Sequence, residues 1–257
     1  GGIMASLKLW EILKDLQKNY RWVDLTHELS PETPHWYGFK PFESEVLFDY
    51  TDDTDEDKKA PMRCFQYTVA SQYGTHVDAP VHFHQNARAL EAIDCKELVF
   101  PLVVIDKSEE AAENPEFTLE IAHIKQWEDV YGKIPEGAFV AFRTDWCHKK
   151  DLENKDDRGV PHYPGWSVDA IKWLVEKRNI GAIGHEPADT DPSYITTRED
   201  MYPYPAEQYI LGVDRFQIEV MKNLDKLPRV GGIIFTTFPK IKGGVGSPAR
   251  CFAIVPE

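Results

Sequence analysis

Clustered basic residues, paired cysteines and long apolar runs are all missing from this 257-residue chain. Lysine and arginine total 29 against 43 aspartate and glutamate, a net charge of −14, and the basic residues gather nowhere. A surface that holds nucleic-acid phosphates or an anionic membrane needs such a gathering, so both are excluded as partners. No apolar stretch approaches the ~20 residues that a bilayer demands. The opening GGIMASLKLWEILKDLQKN has neither a basic start nor an unbroken apolar stretch. No secretory signal is expected there, and a cytoplasmic location is the default. Cys64, Cys95, Cys147 and Cys251 stand far apart with no C-x-x-C pair, which argues against a zinc ribbon or a dithiol redox site. In a reducing compartment they are expected to be small core residues.

Phosphate-binding and nucleophile signatures are missing too. No G-x-G-x-x-G follows a strand and no P-loop is present. The glycine-rich Gly243 to Pro248 lacks the Lys-Ser/Thr pair and a following helix, so it reads as a tight turn near a hairpin. The lack of G-x-S-x-G weakens a serine-hydrolase reading. The acidic run Thr51 to Lys58 lacks the glycine of an EF-hand and reads as a solvated loop.

What the chain does have is an alternation of helical and strand patterns. Ser6 to about Tyr20 places Leu7, Leu9, Trp10, Leu13 and Leu16 at helical spacing, with Ser6 as a candidate cap, and predicts an amphipathic helix that must dock on something. Trp22 to Leu25 and Cys64 to Ser71 read as strands. Leu98 to Asp106 and Ala138 to Arg143 are apolar runs of the kind buried in a sheet. Leu119 to Tyr131 has helical spacing. Ser167 to Lys177 is a second clear helix, capped by Ser167 and stopped at Asn179, and Ile180 to Gly184 follows as a strand. Val230 to Phe238 and Cys251 to Val255 close the chain as strands. No linker or internal repeat interrupts this order. It predicts an α/β chain: one compact domain with a mixed β-sheet core flanked by helices. Residues 1–20 form an N-terminal helix ahead of a domain spanning 21–257.

Chemistry concentrates between Gln72 and His84, where His76, His82 and His84 fall within nine positions. In an extended segment residues i and i+2 share a side, so His76 and Asp78 converge on one point. Gly74 permits a sharp bend that brings Gln72 round, and Pro80 stiffens the exit and holds His82 at a set offset. Imidazole with carboxylate suits a divalent zinc, manganese or iron ion.

Gln72 to His82 resembles the H-x-G-T-H-x-D-x-P-x-H signature of the cyclase-type metal-dependent hydrolases, the group that includes bacterial kynurenine formamidase and isatin hydrolase. The resemblance extends to Asp24 to Pro31, to Arg143-Thr144-Asp145-Trp146, to Gly184 to Pro192 and to Lys242 to Pro248, and so runs from about Trp22 to the end. It implies the cyclase-like swivelling β/β/α fold for 21–257. By position it implies His76 and Asp78 as metal ligands and His82 as the acid/base. Gln72 stands where histidine is usual; its carbonyl oxygen is a weaker, neutral ligand that favours manganese over zinc. Glu219, in Glu219 to Asp225, takes the place of the family's glutamate and would orient water, relay a proton or ligate. The second-metal histidine is replaced by Glu207, which either ligates or marks the loss of that ion. A single-metal, isatin-hydrolase-like site is preferred on these two changes.

The implied reaction is hydrolysis of an amide or ester in a small cyclic or aryl substrate, with Trp36 and Tyr37 stacking on its ring. A metal- or ligand-binding homologue without turnover is the alternative, which retention of His82 and Glu219 argues against. His185 beside Glu186, Asp189 and Asp191 reads equally as a supporting site residue or a hydrogen-bonded turn, and His27 as a supporting or a core histidine. His84 lies just past the motif, within possible reach of substrate. His35, His123, His148 and His162 read as surface or packing residues. The resemblance implies a homodimer or homotetramer, with the N-terminal helix as the candidate exchanged arm.

Overall fold

The computed structural model describes residues 2–50 and 55–257. Its first half runs α1 (Gly2–Asn19), β1 (Arg21–Asp24), β2 (Glu43–Phe48), β3 (Cys64–Thr68), β4 (His76–Asp78), β5 (Val99–Asp106), α2 (Ser108–Glu113), β6 (Thr118–Leu119) and α3 (Ile121–Tyr131). There follow β7 (Phe139–Arg143), β8 (Gly165–Trp166), α4 (Val168–Arg178), β9 (Ala182–His185), α5 (Ser193–Thr196), α6 (Pro205–Gly212), β10 (Phe216–Glu219), β11 (Gly232–Thr237), β12 (Gly246–Pro248) and β13 (Arg250–Val255). Nine strands make one mixed sheet in the order β1-β13-β11-β5-β7-β9-β10-β4-β12. The β5-β7, β7-β9 and β9-β10 pairs are parallel and the other pairs antiparallel.

The central strands are apolar on both faces because both faces are covered. Along β5 and β7, Leu102, Val104, Phe139 and Ala141 enter one buried cluster. Their neighbours Val103, Ile105, Val140 and Phe142 enter the other, under Ile124 and Trp127 of α3, Ile171 and Leu174 of α4 and Ile210 of α6. This is why these stretches read as continuous hydrophobic runs.

The sheet curls until its two ends meet. Val23 of β1 and Val77 of β4, from opposite ends of the strand order, share the first cluster. Ala249 alone separates β12 from β13, and its N–H donates to the Thr75 carbonyl (2.9 Å). Thr75 in turn accepts the His27 N–H on its hydroxyl (2.9 Å) and donates to the Val220 carbonyl (2.7 Å). The result is a mixed sheet closed on itself with helices on its outer face, the expected α/β architecture.

Helix α4 follows the sequence reading closely. The Ser167 hydroxyl accepts from Ala170 N–H, and Asn179 stops the helix in the left-handed conformation at φ 46°. Other boundaries differ. The first helix begins at Gly2, so Ser6 lies inside it and is no cap. Leu119 leaves the α3 pattern to pair in β6 with β8, and Glu120 caps α3 reciprocally with His123. The strand expected over Cys64 to Ser71 ends at Thr68 and joins β2 in a separate two-stranded ribbon. Gly243, at φ 66°, does make the expected turn, but Gly246–Pro248 then form strand β12 on β4. Only Cys147 and Cys251 are buried; Cys64 and Cys95 are exposed, because the ribbon and a short surface 3-10 turn carry them outside the core. Of the acidic run, residues 51–54 lie outside the described residues, and Glu56–Lys58 form an exposed 3-10 turn.

Helix α1 leaves Leu9 (72 % exposed) and Trp10 (71 %) in solvent. The Trp22 indole ties it to the fold by donating to the Leu16 carbonyl (2.9 Å). Among the described residues no helix is long and apolar enough to cross a membrane.

Candidate active site

Strand β4 is three residues long and lies between β10 and the edge strand β12. Its register sets His76 opposite Glu219 and Asp78 opposite Gln217. Strand alternation sends Val77 and Ile218 into the core, so the four polar side chains share the other face. Gly74, at φ 62°, makes the bend before β4, where an added Cβ would lie 2.9 Å from the Thr33 methyl.

Hydrogen bonds fix which atoms of this face carry lone pairs. His76 Nδ1 is 2.7 Å from the Gly74 carbonyl, which only accepts, so Nδ1 carries a proton and in the neutral ring the lone pair is on Nε2. Nε2 is buried without a hydrogen-bond partner, as is Asp78 Oδ1 3.3 Å away. Glu219 Oε1 is also 3.3 Å from Nε2. Thr190 donates to Gln217 Oε1 (2.7 Å), which turns the Gln217 amide nitrogen toward Asp78 Oδ2 (2.9 Å) and Glu207 Oε1 (3.2 Å). Glu207 is placed by helix α6, where Pro205 is in the first turn and Asp191 accepts the Ala206 (2.8 Å) and Glu207 (3.2 Å) N–H groups.

His82 enters from the 3-10 turn Pro80–His82, which places its Nε2 3.9 Å from Asp78 Oδ1 and 3.8 Å from Glu207 Oε1. At 28 % its side chain is far more exposed than those of His76 and Asp78, so it is the imidazole that a bound molecule can reach. Behind Glu219 runs a buried relay. The Trp166 indole N–H donates to His185 Nδ1 (3.0 Å), leaving the His185 proton on Nε2 to donate to Glu219 Oε2 (2.8 Å). Burial holds the His185 pKa down at about 3, so this ring stays neutral.

Electrostatically the cluster is short of positive charge. Burial raises the Glu207 and Glu219 pKa values well above the ordinary range, with the neighbouring carboxylates adding to it. Burial opposes ionisation of Asp78, yet His76 holds it below the usual range; burial likewise opposes a charged His76, and Asp78 outweighs that. Three buried carboxylates in contact are stable as anions only beside a cation. Two sets of three ligand atoms have the necessary closeness, His76–Asp78–Glu219 and Asp78–His82–Glu207, with each set's atoms within 4.8 Å of one another. The bare, buried Nε2 and Oδ1 and the carboxylate-rich donor set therefore fit a divalent metal ion.

A pocket of about 330 Å³ opens over the cluster, with His76, His82, Glu207, Glu219 and Gln72 at its floor and Trp36, Phe39, Phe83 and Tyr204 on its walls. The Gln72 carbonyl oxygen takes the Ser71 hydroxyl, and its amide nitrogen is buried without a partner. Tyr37 is 65 % exposed and lines a neighbouring pocket of about 260 Å³, which shares Trp36, Ala188 and Asp189 with the first. The structure thus gathers Gln72, His76, Asp78, His82, Glu207, Glu219 and Trp36, and sets Tyr37 to one side. Phe39, Phe83 and Tyr204 join the pocket unannounced, since aromatic residues in irregular segments carry no motif, and Asp189 joins it from the polar turn after β9.

The remaining histidines separate cleanly. His84 turns away to the Gln208 carbonyl (2.8 Å). His27 is buried with Nε2 unpartnered and lines a different pocket from the one over the cluster. His35 stacks on Tyr73, His123 caps α3 and His162 bridges Glu116 and Asp156. Glu186 is fully buried and accepts the N–H groups of Thr144, Asp145 and Cys147, so this part of the turn is structural.

The chain is 34 % identical over 247 residues to an isatin hydrolase from Roseibium aggregatum, across 91 % of this chain and 92 % of that protein. Among solved structures, isatin hydrolase A from Labrenzia aggregata, bound to benzyl benzoate, superposes with a TM-score of 0.88 at 34 % identity, covering 97 % of this chain and all of that one. An isatin hydrolase bound to the product analogue thioisatinate superposes with a TM-score of 0.86 at 30 % identity, with both chains covered in full. The Cyclase family model matches residues 23–192, the stretch from β1 through β4 to the loop that carries Asp189 and Asp191, and the chain belongs to that family.

Proposed function

We propose that the protein is a metal-dependent hydrolase that opens the amide or ester bond of a small cyclic or aryl carbonyl compound, with an isatin-like lactam as the leading substrate. The observation that carries this reading is the pair of bare, buried ligand atoms, His76 Nε2 and Asp78 Oδ1, under an aromatic pocket beside a reachable imidazole. His76, Asp78 and Glu219 would hold one divalent ion, with the neutral carbonyl oxygen of Gln72 added to the set and Glu207 facing it across His82. When bound, the ion supplies acidification of water and polarisation of a carbonyl. The oxygen-rich set favours manganese over zinc.

The chain's own residues do the rest. His82 Nε2 takes the proton of a water as its oxygen bonds to the carbonyl carbon. The imidazolium so formed returns the proton to the leaving nitrogen or oxygen as its bond to carbon breaks. His185 holds the Glu219 carboxylate in orientation. Trp36 and its aromatic neighbours stack on the flat substrate and exclude water.

The test is loss of the isatin chromophore followed with manganese-loaded protein and with His82→Ala. Turnover that falls by ~10²–10⁴ in the variant while metal content holds supports the reading. Equal rates in both, or a wild-type protein that binds metal yet opens no lactam, aryl amide or ester, would sink it, the latter in favour of a binding homologue. The exposed apolar side chains of α1 fit an arm exchanged within a homodimer or homotetramer, with residues 21–257 as the hydrolase domain. Four unpaired cysteines suit a reducing compartment such as the cytoplasm.

A further inference from the structure

One carboxylate in the pocket belongs to neither candidate ligand set. Asp189 lies on the loop after β9 and, with Trp36 and Ala188, forms the boundary between the 330 Å³ and 260 Å³ pockets. Its Oδ2 is held by the Tyr163 hydroxyl (2.6 Å), and among the described residues no group donates to its Oδ1. Tyr163 is itself anchored, buried and paired with Thr196 Oγ1, so the carboxyl is fixed while one oxygen stays open to a ligand.

Geometry limits what that oxygen can take. A carboxylate only accepts, so a substrate's carbonyl oxygen or an ester's bridging oxygen set against it is repelled, whereas an N–H is bound. The His76–Asp78–Glu219 set would draw the carbonyl oxygen of the scissile group, so the N–H on the other side of the carbonyl carbon is the part left for Asp189, which lines the same pocket. Burial lifts the Asp189 pKa to about 6, so at neutral pH it is still an anion.

We propose that Asp189 is a specificity-determining residue that accepts the N–H of the scissile amide, making the substrate class secondary lactams and anilides rather than esters and lactones. This rests on the hydrolase reading above. As the C–N bond breaks and the nitrogen gains the proton returned by His82, its N–H groups become stronger donors, so the bond to Asp189 tightens toward the transition state. The adjoining pocket, walled by Tyr37 and His35, takes the substituent beyond the nitrogen.

The experiment compares one bicyclic lactam with its lactone isostere, in which oxygen replaces N–H, on wild type, Asp189→Asn and Tyr163→Phe, with manganese affinity measured by calorimetry on each. The expected result is a lactam kcat/KM at least ~100-fold lower in Asp189→Asn with the lactone rate within a few-fold of wild type, and unchanged metal affinity. Tyr163→Phe frees the carboxyl without removing it and gives a smaller loss in the same direction. Equal losses on both substrates, or an unchanged lactam-to-lactone ratio, overturn the assignment of Asp189 alone. A wild type that turns over neither compound overturns the hydrolase reading and this subsite with it.

Discussion

The Trp166–His185–Glu219 relay makes a sharp quantitative prediction. His185→Leu replaces a buried imidazole by an apolar side chain of comparable size, so no cavity opens. Two hydrogen bonds are lost: the one from Trp166 Nε1 (3.0 Å) and the one to Glu219 Oε2 (2.8 Å). The indole N–H is left buried without an acceptor, at a cost of about 1–3 kcal/mol. In a chain of this size that lowers Tm by roughly 2–4 °C per kcal/mol. Glu219 Oε2 keeps only the long contact from Thr190 (3.4 Å), and with Oε1 against His76 Nε2 (3.3 Å) the carboxylate is more loosely oriented. Loss of such a supporting donor weakens metal affinity by about 10–100-fold. Trp166→Phe separates the two effects, because it removes the donor to His185 but leaves His185 Nε2 beside Glu219, so stability falls while metal affinity falls less. Differential scanning calorimetry of the metal-free proteins and manganese titration of each supply both quantities. A His185→Leu protein that loses stability yet binds manganese as tightly as wild type would refute the view that this relay orients a ligand.

Two further expectations concern groups away from the site. His27 has its pKa pushed down to about 4 by burial and then by Lys222. Its native form is neutral, so stability is full above the ordinary 6.5 and is lost as pH falls toward 4, where the unfolded chain takes up a proton that the folded one refuses. Discounted for partial solvent contact, the loss is about 2 kcal/mol; denaturant unfolding of His27→Gln should show a flatter profile from pH 6.5 to 4, and a parallel profile would contradict this. A thiol reagent should modify Cys64 and Cys95 at once and Cys147 and Cys251 only on unfolding, since burial shelters the latter pair and raises their thiol pKa values. Four fast-reacting thiols would refute the burial assignment.

The strands that were plain in the sequence are those whose apolar content reports burial directly. Leu98 to Asp106 and Ala138 to Arg143 are covered on both faces, and Ser167 with Asn179 delimit α4 by local hydrogen bonding and left-handed geometry. His76 and Asp78 were legible because two-residue spacing in a strand needs no tertiary knowledge. Glu219 and Glu207 were legible only through the family resemblance, since it is the antiparallel pairing of β10 with β4 that carries Glu219 to His76 and helix α6 that carries Glu207 to His82. Strand β12, made of Gly246, Ser247 and Pro248, has no strand propensity of its own and exists because β4 offers an edge. Asp189 and His185 were visible as polar residues in a turn, but their partners Tyr163 and Trp166 come from another segment entirely.

The proposed hydrolase depends on His76 Nε2 and Asp78 Oδ1 serving as ligand atoms of a resident divalent ion. Elemental analysis of protein purified without added metal, beside His76→Ala, tests it most directly. The expected result is about one equivalent of manganese or zinc per chain in the wild type and its loss in the variant. Protein that stays metal-free even after soaking with both ions, or a variant that retains the metal in full, would contradict it.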